Sequence, residues 1–282
     1  MKRQLVAISI ISVLSLVGYQ NCGNDASFTS SSKSSASAIQ SNSSGGSSVA
    51  SSSSGGSAPI CSNPITPATN NLRIIFMVDN SGSTNTTDSQ QYYRNQVIQT
   101  FLSQYSNNTS LSFAFGYFEG TSAYLFDGSS QSFVKNANQP FGGAGQLSSA
   151  LTAYDKIRPN GNTPYHAGFN EIQNAILADL QSGSGSANYS VVFMSDGQPT
   201  DVSSSPSLTT NLVAMVQSFA GSIQAQHGAV AVSTVYFNPA NNSGDSANLQ
   251  AMAQAGGGQF VNTNVTSSLV IADLVSVPST CP

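Results

Sequence analysis

Leu72-Arg73-Ile74-Ile75-Phe76-Met77-Val78-Asp79-Asn80-Ser81-Gly82-Ser83 is the stretch that decides how this chain is read. From Leu72 to Val78 only Arg73 is polar, and the rest is Ile, Phe, Met, Val and Leu with no alternation. Such a run predicts a strand covered on both faces, as at the centre of a parallel sheet. Asp79 to Ser83 then lie at the strand's carboxyl end, the edge of an open α/β sheet where loops converge and ligands bind. Asp79, Ser81 and Ser83 alternate around a Gly82 hinge and can turn three oxygens toward one point. Oxygen-only donors suit a hard cation such as Mg2+. Ser and Asp also populate ordinary turns, so the pentapeptide alone is a weak signal.

Two later stretches strengthen it. Gly161-Asn162-Thr163-Pro164 precedes a helical pattern, and Phe193-Met194-Ser195-Asp196-Gly197-Gln198-Pro199-Thr200 ends a second buried strand. Together the three resemble the von Willebrand factor A (VWA) domain family, whose metal-ion-dependent adhesion site (MIDAS) consists of D-x-S-x-S, a threonine and an aspartate in that order. The resemblance spans residues 72–275. It implies Asp79, Ser81, Ser83, Thr163 and Asp196 as the ligands of a divalent cation, Mg2+ foremost, with Mn2+ or Ca2+ as alternatives. Hydroxyl ligands are neutral, so an ion held mainly by Ser and Thr keeps its positive charge facing outward. The implied partner is a protein whose Asp or Glu carboxylate replaces one water on the ion, in adhesion or another protein–protein contact. Gly82 and Gly197 are expected to permit tight turns. Asp201 is either an acceptor that orients this loop or an ordinary solvated aspartate, and Asn80 is assigned no role.

The chain has 282 residues, enough for one large domain or two small ones, and trimming the ends leaves about 210, which suits one. Only 7% of residues are charged; without Lys2 and Arg3, six basic stand against twelve acidic, a net charge of −6. No basic patch exists to neutralise phosphates, which argues against nucleic acid as a partner.

Lys2 and Arg3 precede an apolar run from Leu5 to Gly18, too short for a confident membrane span and laid out like a secretory signal. With Cys22 following, residues 1–21 look like a bacterial lipoprotein signal, although Tyr19 and Asn21 depart from its usual pattern. The implied product is exported and held to the membrane only through lipid on Cys22. Gly23, by the same resemblance, favours the outer membrane over inner-membrane retention. The alternative is an ordinary cleaved leader with Cys22 left as a thiol. With Cys22 assigned to lipid, Cys61 and Cys281 flank the domain, and domain ends often lie close together, so a disulfide between them is expected. Closing a loop of about 220 residues is worth roughly 5 kcal/mol in the chain-entropy model. The organisation read from the chain is thus a signal over 1–21, a Ser- and Gly-rich tether over 22–60 with a root-mean-square reach of about 30–37 Å, and the domain over 61–282.

Within the domain, Tyr93, Val97, Ile98, Phe101, Leu102 and Tyr105 recur at helical spacing. Leu111 to Phe118, the turn Glu119-Gly120-Thr121-Ser122, and Ala123 to Phe126 read as an antiparallel hairpin. Residues 127–146 are Gly-, Asn- and Ser-rich and read as a functional loop or a surface excursion; Phe141 to Gly145 lack the strand and lysine of a P-loop. Helices are expected over 147–157, 164–180, 208–223, 247–255 and 267–275, and strands over 191–195, 230–237 and 259–261. Strand and helix alternate, which predicts an α/β, doubly wound, Rossmann-like fold: a mostly parallel six-stranded sheet with one antiparallel edge strand and helices on both faces.

Two other function classes compete. A metal-dependent enzyme would need a base such as His166, three residues after Thr163, but neither His166 nor His227 has zinc-ligand spacing and no nucleophile elbow is present. No enzymatic activity is therefore expected. A structural envelope component with a vestigial or occluded metal site is the remaining alternative.

Overall fold

The computed structural model describes residues 72–183, 188–265 and 269–275. The signal, the tether, Cys22 and the Cys61–Cys281 pairing lie outside the described residues. Among the described residues no helix is long and apolar enough to cross a membrane.

The sheet is built on β1 (Leu72–Asp79), which pairs in parallel with β2 (Leu111–Glu119) on one side and β5 (Asn188–Ser195) on the other. Beyond β5 lie β6 (Ala229–Tyr236) and β7 (Gly257–Asn262), both parallel. Beyond β2 lie β3 (Ser122–Asp127), antiparallel to it, and then β4 (Ser132–Val134), antiparallel to β3. The order is β4-β3-β2-β1-β5-β6-β7. The expected hairpin thus forms the antiparallel edge of the sheet, but the sheet has seven strands instead of six. The added strand, β4, falls inside the stretch read as a loop. Three residues between Ser- and Asn-rich segments carry too little alternation to register as a strand, and the pairing with β3 creates it.

The lack of alternation in β1 has a direct cause: both faces are covered. Ile75 and Met77 pack with α4 (Tyr165–Gln181), α5 (Leu208–Gln224) and α6 (Ser243–Ala255). Ile74, Phe76 and Val78 pack on the other face with α2 (Val97–Tyr105), α3 (Ala144–Tyr154) and the one-turn α7 (Ile271–Leu274). Spacings of three and four along α4 bring Tyr165, Phe169, Ile172 and Ile176 onto one buried stripe. Asn242 caps α6, its side-chain oxygen accepting from the Gly244 N–H at 2.9 Å.

Ahead of α2 the chain forms a single turn, α1 (Thr84–Thr87), and then a π-helical turn over Tyr92–Gln96. The Asp88 carboxylate sets the start of that π turn. It accepts from the backbone N–H groups of Tyr92, Tyr93 and Arg94 at 2.7, 3.3 and 3.2 Å.

Candidate metal centre

β1 and β5 are neighbours, but the chain leaves β1 for β2 on one side and reaches β5 later on the other. A crevice forms where the crossovers part in this way. Asp79 ends β1 and Asp196 follows β5 directly, so parallel pairing brings both carboxylates to the crevice, Asp79 level with Ser195 and Asp196 one residue further on. Both are wholly buried.

Hydroxyls surround the pair. Asp79 Oδ1 accepts from the Ser81 N–H at 2.8 Å, and Oδ2 accepts from Ser195 Oγ at 2.5 Å. Ser83 Oγ donates to Asp196 Oδ1 at 3.0 Å and lies 3.0 Å from Ser81 Oγ. Thr87 Oγ1 donates to Asp196 Oδ2. Ser81 is buried whereas Ser83 is exposed, so the cluster runs from the sheet edge out to solvent.

Thr163, also buried, sits on a loop stitched to both others. The Gly82 N–H donates to the Gly161 carbonyl at 3.0 Å, and the Asn160 N–H to the Asn80 carbonyl at 2.9 Å. Thr163 and Thr200 exchange bonds, from Thr200 N–H to the Thr163 carbonyl at 2.9 Å and from Thr163 N–H to Thr200 Oγ1 at 3.2 Å. Gly161 has φ +67°, and a Cβ there would stand 2.8 Å from the Gly120 Cα. Both the left-handed backbone and the close approach to the β2–β3 turn require glycine.

Asp201 accepts from the N–H groups of His166 and Ala167 at 3.1 and 3.0 Å. It caps the first turn of α4 from another loop, and so ties the segment after Asp196 to the segment carrying Thr163. His166 is exposed, its Nδ1 3.0 Å from Asn170 Nδ2.

Beneath the loop lies a network that sequence patterns did not single out. Asn80 Oδ1 accepts from Arg94 Nη1 and from the Tyr154 hydroxyl, each at 2.9 Å, and Asn80 Nδ2 donates to Glu119 at 2.6 Å. Arg94 is fully buried and ion-paired with Asp88 at 3.1 Å. Its reach toward the site ends at the Asp79 main-chain carbonyl, 3.4 Å away. A legible signal did exist for Thr87, which stands four residues after Ser83 and so shares its face across α1. None existed for Arg94, a polar residue inside an otherwise amphipathic pattern.

The charge balance at this edge is the site's main electrostatic fact. Two ion pairs occur among the described residues, Arg73–Asp179 and Arg94–Asp88, and neither involves Asp79 or Asp196. Burial, with repulsion from Asp196 added, pushes the Asp79 carboxyl up to about 7, against the lowering effect of the Ser195 and Ser81 hydrogen bonds. Among the described residues no group of three or more His, Cys, Asp or Glu side chains is placed to hold a metal. The donors gathered here are instead two carboxylates and several neutral hydroxyls. That set fits a hard divalent cation, whose charge offsets the pair and whose preference is for oxygen.

No protein-family model matches the chain, and no curated protein matches it. Among solved structures it is similar to proximal thread matrix protein 1 from the mussel byssus, at 14% identity and a TM-score of 0.40 over 69% of this chain. The chain spans 42% of that protein's length. It is similar to the manganese-loaded Plasmodium vivax TRAP protein, at 15% identity and a TM-score of 0.46 over 74% of this chain and 76% of that one. It is also similar to the vWF domain of the type V pili tip protein Mfa5 from Porphyromonas gingivalis, at 9% identity and a TM-score of 0.46 over 73% of this chain and 93% of that one.

Proposed function

We propose that the domain is a VWA-type adhesion module that binds a protein ligand through a divalent cation. In this reading Asp79, Ser81, Ser83, Thr163 and Asp196 hold the ion, Mg2+ in the first instance, and Cys22 anchors the exported chain to the outer membrane by lipid. The observation that carries the reading is the pair of buried, unneutralised carboxylates on adjacent strands, ringed by hydroxyls that lead to solvent. A bound cation supplies a Lewis-acidic centre for an incoming carboxylate. On the exposed side at Ser83 the ligands are neutral hydroxyls and water, so a partner's Asp or Glu can replace a water there. The stitched loops serve to hold these oxygens in place before the partner arrives.

The test is a thermal melt of the exported chain in chelator, then with Mg2+, Mn2+ or Ca2+, alongside Asp79→Ala. At a hundred times its dissociation constant a single ion adds about 2.7 kcal/mol, which raises the midpoint by roughly 5–10 °C in a domain of this size. The shift should vanish in Asp79→Ala. No shift with any of the three ions up to millimolar concentration would overturn the metal reading in favour of a structural role.

A further inference from the structure

Asp245 stands in the first turn of α6 and is 6% exposed, yet its Oδ1 has no hydrogen-bond donor. An acid three residues after a helix cap ordinarily reaches back to the cap's own N–H. Here that donor is taken, because the Asn242 N–H donates to the Tyr236 hydroxyl at 2.9 Å. The helix therefore does not account for the buried oxygen.

The surroundings of Asp245 point to the crevice. α6 begins just beyond the carboxyl end of β6, on the sheet edge that carries Asp196. Burial and the Asp196 charge push the Asp245 carboxyl up, while the Gln198 side chain, two residues past Asp196, acts to lower it. Tyr236, whose hydroxyl holds the Asn242 N–H at the start of α6, is the register partner of Ser195, and Asn238 Nδ2 two residues on donates to the Asp196 carbonyl at 2.7 Å, so the start of α6 is tied to the edge that carries Asp196. A buried carboxylate at the same sheet edge as Asp196, with one oxygen unserved, is costly unless a cation or a donor carried by one completes it.

We propose that Asp245 is a positioning residue of the cation site, its free oxygen accepting a hydrogen bond from water carried on an ion held at Asp79 and Asp196. The donor set agrees with an indirect role, since Asp245 does not join those two residues in a direct three-acid cluster. Mg2+ keeps several of its waters when bound to protein, and outer acceptors of those waters orient the site and raise affinity. This inference rests on the cation reading proposed above.

The test measures Mg2+ affinity and metal-free stability of the full chain together, comparing wild type with Asp245→Asn and Asp245→Ser. Removing the charge should weaken Mg2+ binding by about 10–100-fold. In chelator at neutral pH the same variants should melt above wild type, because a buried like charge has gone. A merely structural aspartate would lower stability in chelator, and either that result or an unchanged Mg2+ midpoint overturns the proposal. Failure of both variants to fold overturns it as well. Asp79→Ala separates the two readings: a wild-type response lost in Asp79→Ala but unchanged in both Asp245 variants leaves the cation site standing and removes only Asp245. Absence of any wild-type response removes both.

Discussion

Replacing Asp79 with Asn in the metal-free protein isolates the charge that the fold buries at the end of β1. The Asp79 carboxyl has an ordinary value of 3.8 and is pushed up to about 7, first by burial and then by Asp196. A raised value in the folded state means that folded Asp79 holds its proton over a range where the unfolded chain has released it. The stability this contributes is complete below the ordinary value and is lost as pH rises through about 7. A difference of about three units at 1.36 kcal/mol each is on the order of 4 kcal/mol. The amide of the Asp79→Asn variant does not titrate. Its oxygen would still accept from the Ser81 N–H, and the Ser195 hydroxyl would turn to accept from the amide nitrogen. In chelator, the two proteins should therefore have similar stability near pH ~4 and diverge upward, until the variant exceeds wild type by about 4 kcal/mol at mildly alkaline pH. At roughly 2–4 °C per kcal/mol, that is a gap of about 8–16 °C in melting midpoint. Adding Mg2+ should narrow the gap, since wild type gains a bound ion, worth about 2.7 kcal/mol at a hundred times its dissociation constant, and the variant does not. A gap that is flat with pH, or a variant less stable at every pH in chelator, would refute the claim that this carboxylate is buried at a cost.

Two further substitutions test how the loops are held. Arg94→Met leaves Asp88 buried without its cationic partner and removes donors from Asn80 and Tyr154. Urea denaturation should show a loss of about 3–5 kcal/mol, whereas a loss within experimental error would mean that Arg94 is incidental. Gly161→Ala puts a Cβ 2.8 Å from the Gly120 Cα in a left-handed backbone position. It should cost about 1–3 kcal/mol by chemical denaturation and weaken Mg2+ binding as well, because Gly161 also receives the Gly82 N–H. Unchanged metal affinity in a destabilised Gly161→Ala protein would separate the Thr163 loop from the site.

What was legible in the sequence, and what was not, divides along a physical line. β1 could be read because burial on both faces leaves a mark in composition, seven residues with a single polar interruption. The three motif segments could be placed at one edge because each adjoins an element with a strong pattern of its own: Asp79 after β1, Thr163 before α4, Asp196 after β5. Features made by tertiary contact left no such mark. Ser132–Val134 becomes a strand only by pairing with β3. Arg94 occupies a position on the helix pattern that composition alone assigns to solvent, and is buried because Asp88, Asn80 and Tyr154 converge on its guanidinium. Asp245 resembles an ordinary acid at a helix start, where it would complement the helix dipole, until the Tyr236 hydroxyl is found to occupy the N–H it would have served.

These hidden residues share a consequence for the site. Arg94 places its positive charge behind the loop against Asp88, so it orders Asn80 and the Asp79 carbonyl without neutralising the Asp79 carboxylate. A basic side chain among the hydroxyls would stabilise the metal-free domain and compete with any cation. Keeping the guanidinium on the far side allows the loop to be rigid while the carboxylates remain uncompensated. Rigidity and cation affinity should accordingly be separable: Arg94→Met lowers stability in chelator and with Mg2+ alike, whereas Asp79→Asn raises the first and abolishes the difference between them.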